Sequence, residues 1–333
     1  MTGSEAPMDV PVPPASLFGW PGCQHVSPEI GALCAIGAPT DHGNVISRGA
    51  SRGPAAIRRA SLQLPELRLD GLDIGDVDRS DGPDPQRYLD RIAAVTQRIR
   101  ERGLCPLLLG GDHSITYAPV STLHRSRELC LIWFDAHTDF SPWSGQNFHN
   151  HKQVLRRISK LGGVSRIVQI GYRGITAGDE RSLGAKSVVV TTSCARELDA
   201  QALLALVPYA LPCYISIDID VIDPLWAPGT SAPVPDGLLP DQLKGMLQTL
   251  VRHREILGVD LVEVNPVLDL EAATSRVAAD LLHGIAEHWV HQRLRRSAPA
   301  GDAAFEAFAV APVACETTRH GHPDPIQGAR NAI

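Results

Sequence analysis

None of the seven cysteines, at positions 23, 34, 105, 130, 194, 213 and 315, is spaced Cys-x-x-Cys with another, which removes the thiolate pairs from which structural zinc sites are commonly built. Their number is odd, and Cys34, Cys105, Cys130 and Cys213 begin or lie in apolar runs, so they read as small buried hydrophobes of a reducing compartment. An excess of positive charge is also missing: the formal net charge is −6, which gives no electrostatic basis for binding nucleic acid or an anionic membrane. No apolar run approaches the roughly 20 residues that span a bilayer, and the first residues lack the basic region and apolar core of a secretory signal. A soluble cytoplasmic protein is expected. No glycine fingerprint follows the first strand-like run, and the P-loop pattern does not occur, which disfavours a nucleotide-dependent oxidoreductase.

What is present is an ordinary globular composition, 44% hydrophobic and 20% charged over 333 residues, sufficient for one large α/β domain. Pro7, Pro11, Pro13, Pro14, Pro21 and Pro28 interrupt residues 1–30, which read as an irregular arm. Residues 31–295 alternate apolar runs of strand length with helical patterns, the helices falling near 85–102, 198–206, 240–253 and 271–294. About eight strands in this β/α alternation predict a single domain with a mostly parallel sheet and helices on both faces. Residues 296–333, rich in Ala, Pro, Gly and His, read as a C-terminal extension without its own core, with His320 and His322 in a solvated tail.

The chemistry lies where the strands end. Leu129-Cys130-Leu131-Ile132-Trp133-Phe134 empties into Asp135-Ala136-His137-Thr138-Asp139, and in open parallel sheets ligands bind beyond the carboxyl ends of the strands. Alone, Asp135 could cap the next element and His137 could be a core histidine. Two further segments repeat the arrangement: Cys105-Pro106-Leu107-Leu108-Leu109 runs into Gly110-Gly111-Asp112-His113-Ser114, and Cys213-Tyr214-Ile215-Ser216-Ile217 into Asp218-Ile219-Asp220. The two-residue period of extended chain predicts that Asp135, His137 and Asp139 share one side, and Asp218 and Asp220 another. Four carboxylates and two imidazoles in one cleft require compensating cations, because uncompensated burial costs several kcal/mol per charge. This oxygen-rich set with two histidines suits manganese better than a structural zinc, although zinc, iron, cobalt and nickel accept the same ligand types.

These three segments resemble the motifs of the arginase/agmatinase (ureohydrolase) family, as do Arg48 to Arg58, Gly229-Thr230-Ser231-Ala232-Pro233 and Val262-Glu263-Val264-Asn265-Pro266. The resemblance implies a three-layer α/β/α arginase fold and a binuclear manganese centre, with His113, Asp135, Asp139 and Asp218 on one ion and Asp135, His137, Asp218 and Asp220 on the other. Asp112 and Asp223 would orient those ligands through hydrogen bonds. It further implies hydrolysis of a small guanidino compound to urea and an amine, by attack of a hydroxide shared by the two ions. Glu263 matches the carboxylate that pairs with the guanidinium. Family members usually form homotrimers or homohexamers.

One loop departs from the family pattern. Where His-Gly-x-Pro is usual, this chain has Phe148-His149-Asn150-His151-Lys152-Gln153-Val154-Leu155-Arg156, and alignment on Leu155-Arg156 makes His151 the proton shuttle, with His149 its rival. Lys152 and Val154 replace the glycine and proline beside the substrate tail, so agmatine, guanidino acids, arginine and related metabolites all stay open. Lys152, Arg156 or Arg157 could pair with a carboxylate on that tail, or the arginines could form a solvated helix face. Trp143, Phe148 and Trp226 are candidate pocket walls. Two other readings compete: a formiminoglutamase-type hydrolase, betrayed by formamide instead of urea, and a catalytically silent subunit, whose expected loss of a metal ligand is not seen here.

Overall fold

The computed structural model describes residues 15–22, 29–44, 47–67, 71–78, 84–141, 150–173, 186–289 and 292. Eight strands form one sheet in the order β2-β1-β3-β8-β7-β4-β5-β6: β1 (Leu33–Ala38), β2 (Leu72–Asp76), β3 (Cys105–Gly110), β4 (Leu129–Phe134), β5 (Val164–Tyr172), β6 (Ser187–Thr191), β7 (Cys213–Asp218) and β8 (Ile256–Val262). All seven pairings are parallel. β1, β3, β4, β7 and β8 are buried at every residue, which is why they read in sequence as unbroken apolar runs.

Alternation along those strands divides the core into two layers. Leu107 and Leu109 of β3, with Cys130, Ile132 and Phe134 of β4, pack toward α1 (Gly53–Ser61), α7 (Pro240–His253) and α8 (Ala273–Glu287). On the other face Leu108 packs with α2 (Pro85–Glu101) and α3 (Tyr117–Leu123), and Leu131 and Trp133 pack with α4 (Val154–Ser159). The result is the expected three-layer α/β/α arrangement around a parallel sheet.

Element boundaries shift where local chemistry overrides periodicity. The helix expected over 271–294 begins only at Ala273, because Glu271 and Ala272 hold left-handed φ angles of 50° and 57°, which a right-handed helix cannot absorb. Asp269 then caps it, accepting the N–H groups of Thr274 at 2.8 Å and Ser275 at 2.9 Å. The helix expected over 198–206 is α6 (Ala200–Leu206), capped by Asp199, and a further short helix, α5 (Thr192–Arg196), precedes it. Within the proline-rich arm, Leu17 and Trp20 are buried, and the N–H of Leu17 donates to Asp73, itself paired with Arg58 of α1 at 2.7 Å. The C-terminal extension lies outside the described residues.

Strand order is what assembles the site. β3, β8, β7 and β4 are consecutive in the middle of the sheet, so four segments far apart in sequence end side by side.

Candidate metal centre

The segments after β3, β4 and β7 turn inward by a common device. After β3, a Cβ on Gly111 would lie 1.8 Å from the carbonyl oxygen of Thr40, so only glycine permits this approach. Asp112 then accepts the N–H of Ser114 at 3.0 Å, opening the 3-10 turn His113–Thr116. After β4, Oδ1 of Asp135 accepts the N–H of His137 at 2.6 Å. After β7, Oδ1 of Asp218 accepts the N–H of Asp220 at 2.9 Å and starts the turn Ile219–Val221. Simple strand alternation therefore does not gather these groups, contrary to the sequence expectation: β4 and β7 stop at Phe134 and Asp218. Asp-headed turns do the gathering, because a carboxylate that bonds the backbone two residues on bends the chain back over the strand ends.

Two clusters result that share Asp135. Nδ1 of His113 stands 3.1 Å from Oδ2 of Asp218 and 3.3 Å from Oδ2 of both Asp135 and Asp139. Nδ1 of His137 stands 2.9 Å from Oδ2 of Asp220 and 3.5 Å from Oδ1 of Asp135. His113, Asp135 and Asp218 could hold one cation, and Asp135, His137 and Asp220 a second. Asp139 reaches the first cluster with φ at 48°. The geometry sets Asp218 beside His113 and does not bring it into the second group.

The donor chemistry fits a metal. Among the described residues, the buried Nδ1 of His113 has no hydrogen-bond partner despite its three carboxylate neighbours. Its other nitrogen explains this: Nε2 meets Ser216 Oγ at 2.9 Å, and Ser216 donates to Asp260 at 2.6 Å, so Nε2 carries the proton and Nδ1 is left with a lone pair. A lone pair facing carboxylates is repulsive without a cation between them. Tyr214 also donates to Asp260 at 2.8 Å. With no cation, protons take its place: burial alone would lower both imidazoles, yet the surrounding carboxylates raise His113 well above its usual value and push His137 up to about 12. Burial, then repulsion from Asp220 and Asp135, raises Asp218 well above the carboxylate range. Asp135 is held low, because its two imidazole neighbours outweigh burial.

A cavity of about 330 Å³ opens over these groups, lined by His137, Asp139, Asp218, Asp220, and also by Glu263, His151 and Lys152. Glu263, one residue beyond β8, is buried with a left-handed φ of 63°, and Oε1 accepts the N–H of His113 at 2.9 Å. Burial and the charge of Asp112 raise it well above its ordinary value. Nδ1 of His151 lies 2.6 Å from the carbonyl of Gly43, whose N–H in turn donates to Asp112 at 2.7 Å. Burial lowers the pKa of His151. A larger cavity of about 880 Å³ between β2 and α2 is lined mainly by apolar residues and arginines and contains no such acid–imidazole cluster.

Several expected residues fall elsewhere. Arg156 neither pairs with a tail nor forms a solvated face: it donates to the carbonyls of Phe140 and Ser141 and stacks over the Phe140 ring. Arg157 lies 3.4 Å over the Tyr117 ring and donates to Gln86. Asp223 organises its own loop, accepting the N–H groups of Leu225 and Gly237. Trp226 is 53% exposed and does not line the cavity. His149, Trp143 and Phe148 lie outside the described residues. Sequence reading placed Thr230 in a family-like loop but gave it no role, whereas its buried hydroxyl, without a partner among the described residues, lines the cavity; Asp260 it missed. The signal for Asp260 is an acid inside the otherwise apolar run Ile256–Val262.

A profile described as the Arginase family matches residues 32–286. The chain belongs to the arginase family. Within that family the guanidinopropionase of Pseudomonas aeruginosa is 34% identical over 267 residues, 74% of this chain and 83% of that protein. The mitochondrial guanidino acid hydrolase of Homo sapiens is 33% identical over 277 residues, 77% of this chain and 78% of the human one. Among solved structures, the proclavaminate amidino hydrolase of Streptomyces clavuligerus superposes with a TM-score of 0.74 at 27% identity, over 84% of this chain and 97% of that one. No helix among the described residues is long and apolar enough to cross a membrane.

Proposed function

We propose that this arginase-family chain is a ureohydrolase that cleaves a small guanidino compound to urea and an amine at a pair of divalent metal ions, manganese being the best fit. The observation that carries the reading is the bare Nδ1 of His113 among three buried carboxylates. His113, Asp135, Asp139 and Asp218 would hold one ion, and Asp135, His137 and Asp220 the other. Two bound cations would supply the positive charge that acidifies water near neutral pH and offsets negative charge developing on the substrate.

The chain's own groups do the rest. Glu263 has one oxygen committed to His113 and offers the other to the guanidinium, whose positive charge restores the carboxylate that burial disfavours. His151 moves the proton. Because a carbonyl only accepts, the 2.6 Å contact with Gly43 puts a proton on Nδ1 and leaves Nε2 as the accepting atom. Its lowered pKa keeps Nε2 free near neutral pH, so it can take a proton from attacking water and return it to the departing nitrogen. That return is needed because an amide anion is a very poor leaving group. A cytoplasmic location belongs to the same reading and is supported by the burial of Cys34, Cys105, Cys130 and Cys213 as small apolar side chains within the sheet. So does a homo-oligomer, supported by the exposed Leu225, Val267 and Leu270 in neighbouring loops.

Urea release by the manganese-loaded protein over a panel of guanidino compounds tests the proposal, with Asp135→Ala as control. Release from at least one compound, abolished in the control, is expected. Formamide from formimino compounds without urea would overturn it in favour of the formimino reaction, and no product from either class would leave a silent subunit.

A further inference from the structure

We propose that Lys152 recognises an anionic group at the far end of the substrate, so that the chain prefers guanidino carboxylates to guanidino amines; this rests on the ureohydrolase reading and names its substrate class. The backbone of Lys152 is clamped at the cavity lip. Its N–H donates to Oδ1 of Asn150 at 2.9 Å, and its carbonyl accepts the N–H of Ser141 at 2.9 Å, beside Asp139. Its side chain is exposed and lines the cavity, and it is the only lysine or arginine among the described residues that does. Arg156 and Arg157, the other cations of this segment, are turned onto Phe140 and Tyr117. Among the described residues Lys152 has no ion pair, whereas Lys244 pairs with Asp280 at 2.8 Å.

Charge balance points to what it waits for. Asp135, Asp139, Asp218 and Asp220 carry four negative charges, which two divalent ions would neutralise. Glu263 carries a fifth, which the guanidinium neutralises. Among the described residues that line the cavity, no further carboxylate is left to pair with Lys152. A substrate ending in an ammonium would set two cations together at the lip, and one ending in a carboxylate would complete the balance. Asn44, Ser141, Thr230 and Ser231, which complete much of the polar wall, can donate or accept and so do not discriminate by charge. Because an ammonium on a four-carbon stem adapts its reach, Lys152 selects the sign of the tail more strongly than its length.

Three guanidino compounds of one chain length, ending in a carboxylate, a carboxamide or an ammonium, test this on the manganese-loaded wild type, Lys152→Met and Lys152→Glu. In the wild type kcat/KM is expected to be highest for the carboxylate. In Lys152→Met the carboxylate-to-carboxamide ratio should fall about tenfold to a hundredfold, the range of a charge-assisted hydrogen bond, chiefly through KM. Lys152→Glu should move the preference toward the ammonium compound. An unchanged ratio in Lys152→Met, or a wild type that prefers the ammonium compound, overturns the assignment and leaves the hydrolase reading standing. If no compound yields urea, the hydrolase reading fails separately, and calorimetric binding decides: tighter binding of the carboxylate compound to wild type than to Lys152→Met supports the assignment, and equal binding overturns it.

Discussion

Oε1 of Glu263 accepts the backbone N–H of His113 at 2.9 Å, tying the end of β8 to the turn after β3. One carboxylate thus touches both the metal-binding turn and the cavity. Glu263→Gln keeps an acceptor for His113 and removes the charge offered to the guanidinium. Its kcat/KM for a guanidino substrate should fall about a hundredfold, near the upper range for losing a charge-assisted bond, while bound manganese stays unchanged. An equal loss of metal in Glu263→Gln would mean that its role is only to support His113.

Gly43 links two otherwise separate groups, since its N–H reaches Asp112 and its carbonyl meets His151. A Cβ there would lie 2.9 Å from the backbone nitrogen of His151 and 3.0 Å from Oδ1 of Asp112, closer than packed atoms tolerate. Gly43→Ala should therefore displace His151 and lower kcat at least about tenfold, with His151→Asn losing about a hundredfold, as for other positioned proton shuttles. Steady-state kinetics with metal analysis checks this. Normal kcat in Gly43→Ala would show that His151 does not depend on that carbonyl.

Much of this site was legible because its groups sit at the ends of runs that sequence alone reveals. His113, Asp135 and Asp218 each follow an apolar strand, and a run of fully buried strands needs no partner to be recognised. What sequence could not carry was order across the sheet. Nothing local says that β8 lies between β3 and β7, and that placement brings Asp260 into register with Ser216 and Glu263 against His113. Alternation, a correct rule inside a strand, misled beyond its end, where Asp135 and Asp218 bend the chain through their own carboxylates. The left-handed residues 271 and 272 likewise escaped a periodicity argument, because they lie in the turn that Asp269 closes onto Thr274 and not in the helix itself.

Asp260 never reaches the cavity, yet its hydrogen bonds fix which nitrogen of His113 is bare. Asp260→Asn can present an N–H to Ser216 and free the ring to change tautomer. Manganese affinity should drop about tenfold to a hundredfold, the usual effect of losing a group that orients a ligand, and Tyr214→Phe, which removes one donor to Asp260, should have a smaller effect. Isothermal titration with manganese measures both. Unchanged affinity in Asp260→Asn would separate the Ser216–Asp260 pair from metal binding.

The protons that the cluster holds when no metal is bound predict a stability profile with a definite sign. His137 is raised to about 12 and His113 well above its usual value, so each binds a proton more tightly folded than unfolded. Their contribution is complete below the unfolded histidine value of about 6.5 and is lost as pH rises through the folded values. Asp218, also raised, acts in the same direction from the ordinary carboxylate range upward. Asp135, held low, opposes them only in strong acid, where its carboxylate is protonated in the unfolded chain first. The metal-free protein should therefore lose stability on going from about pH 6 to about pH 9. Manganese replaces those protons, so the gain in melting temperature on adding it should grow over the same interval. Its apparent affinity should rise by up to about tenfold per pH unit for each proton displaced. Calorimetric titration in buffers of different ionisation enthalpy counts the protons directly. A binding heat independent of buffer, together with a flat metal-free melting temperature, would mean that the imidazoles are already neutral and that something other than protons balances the carboxylates.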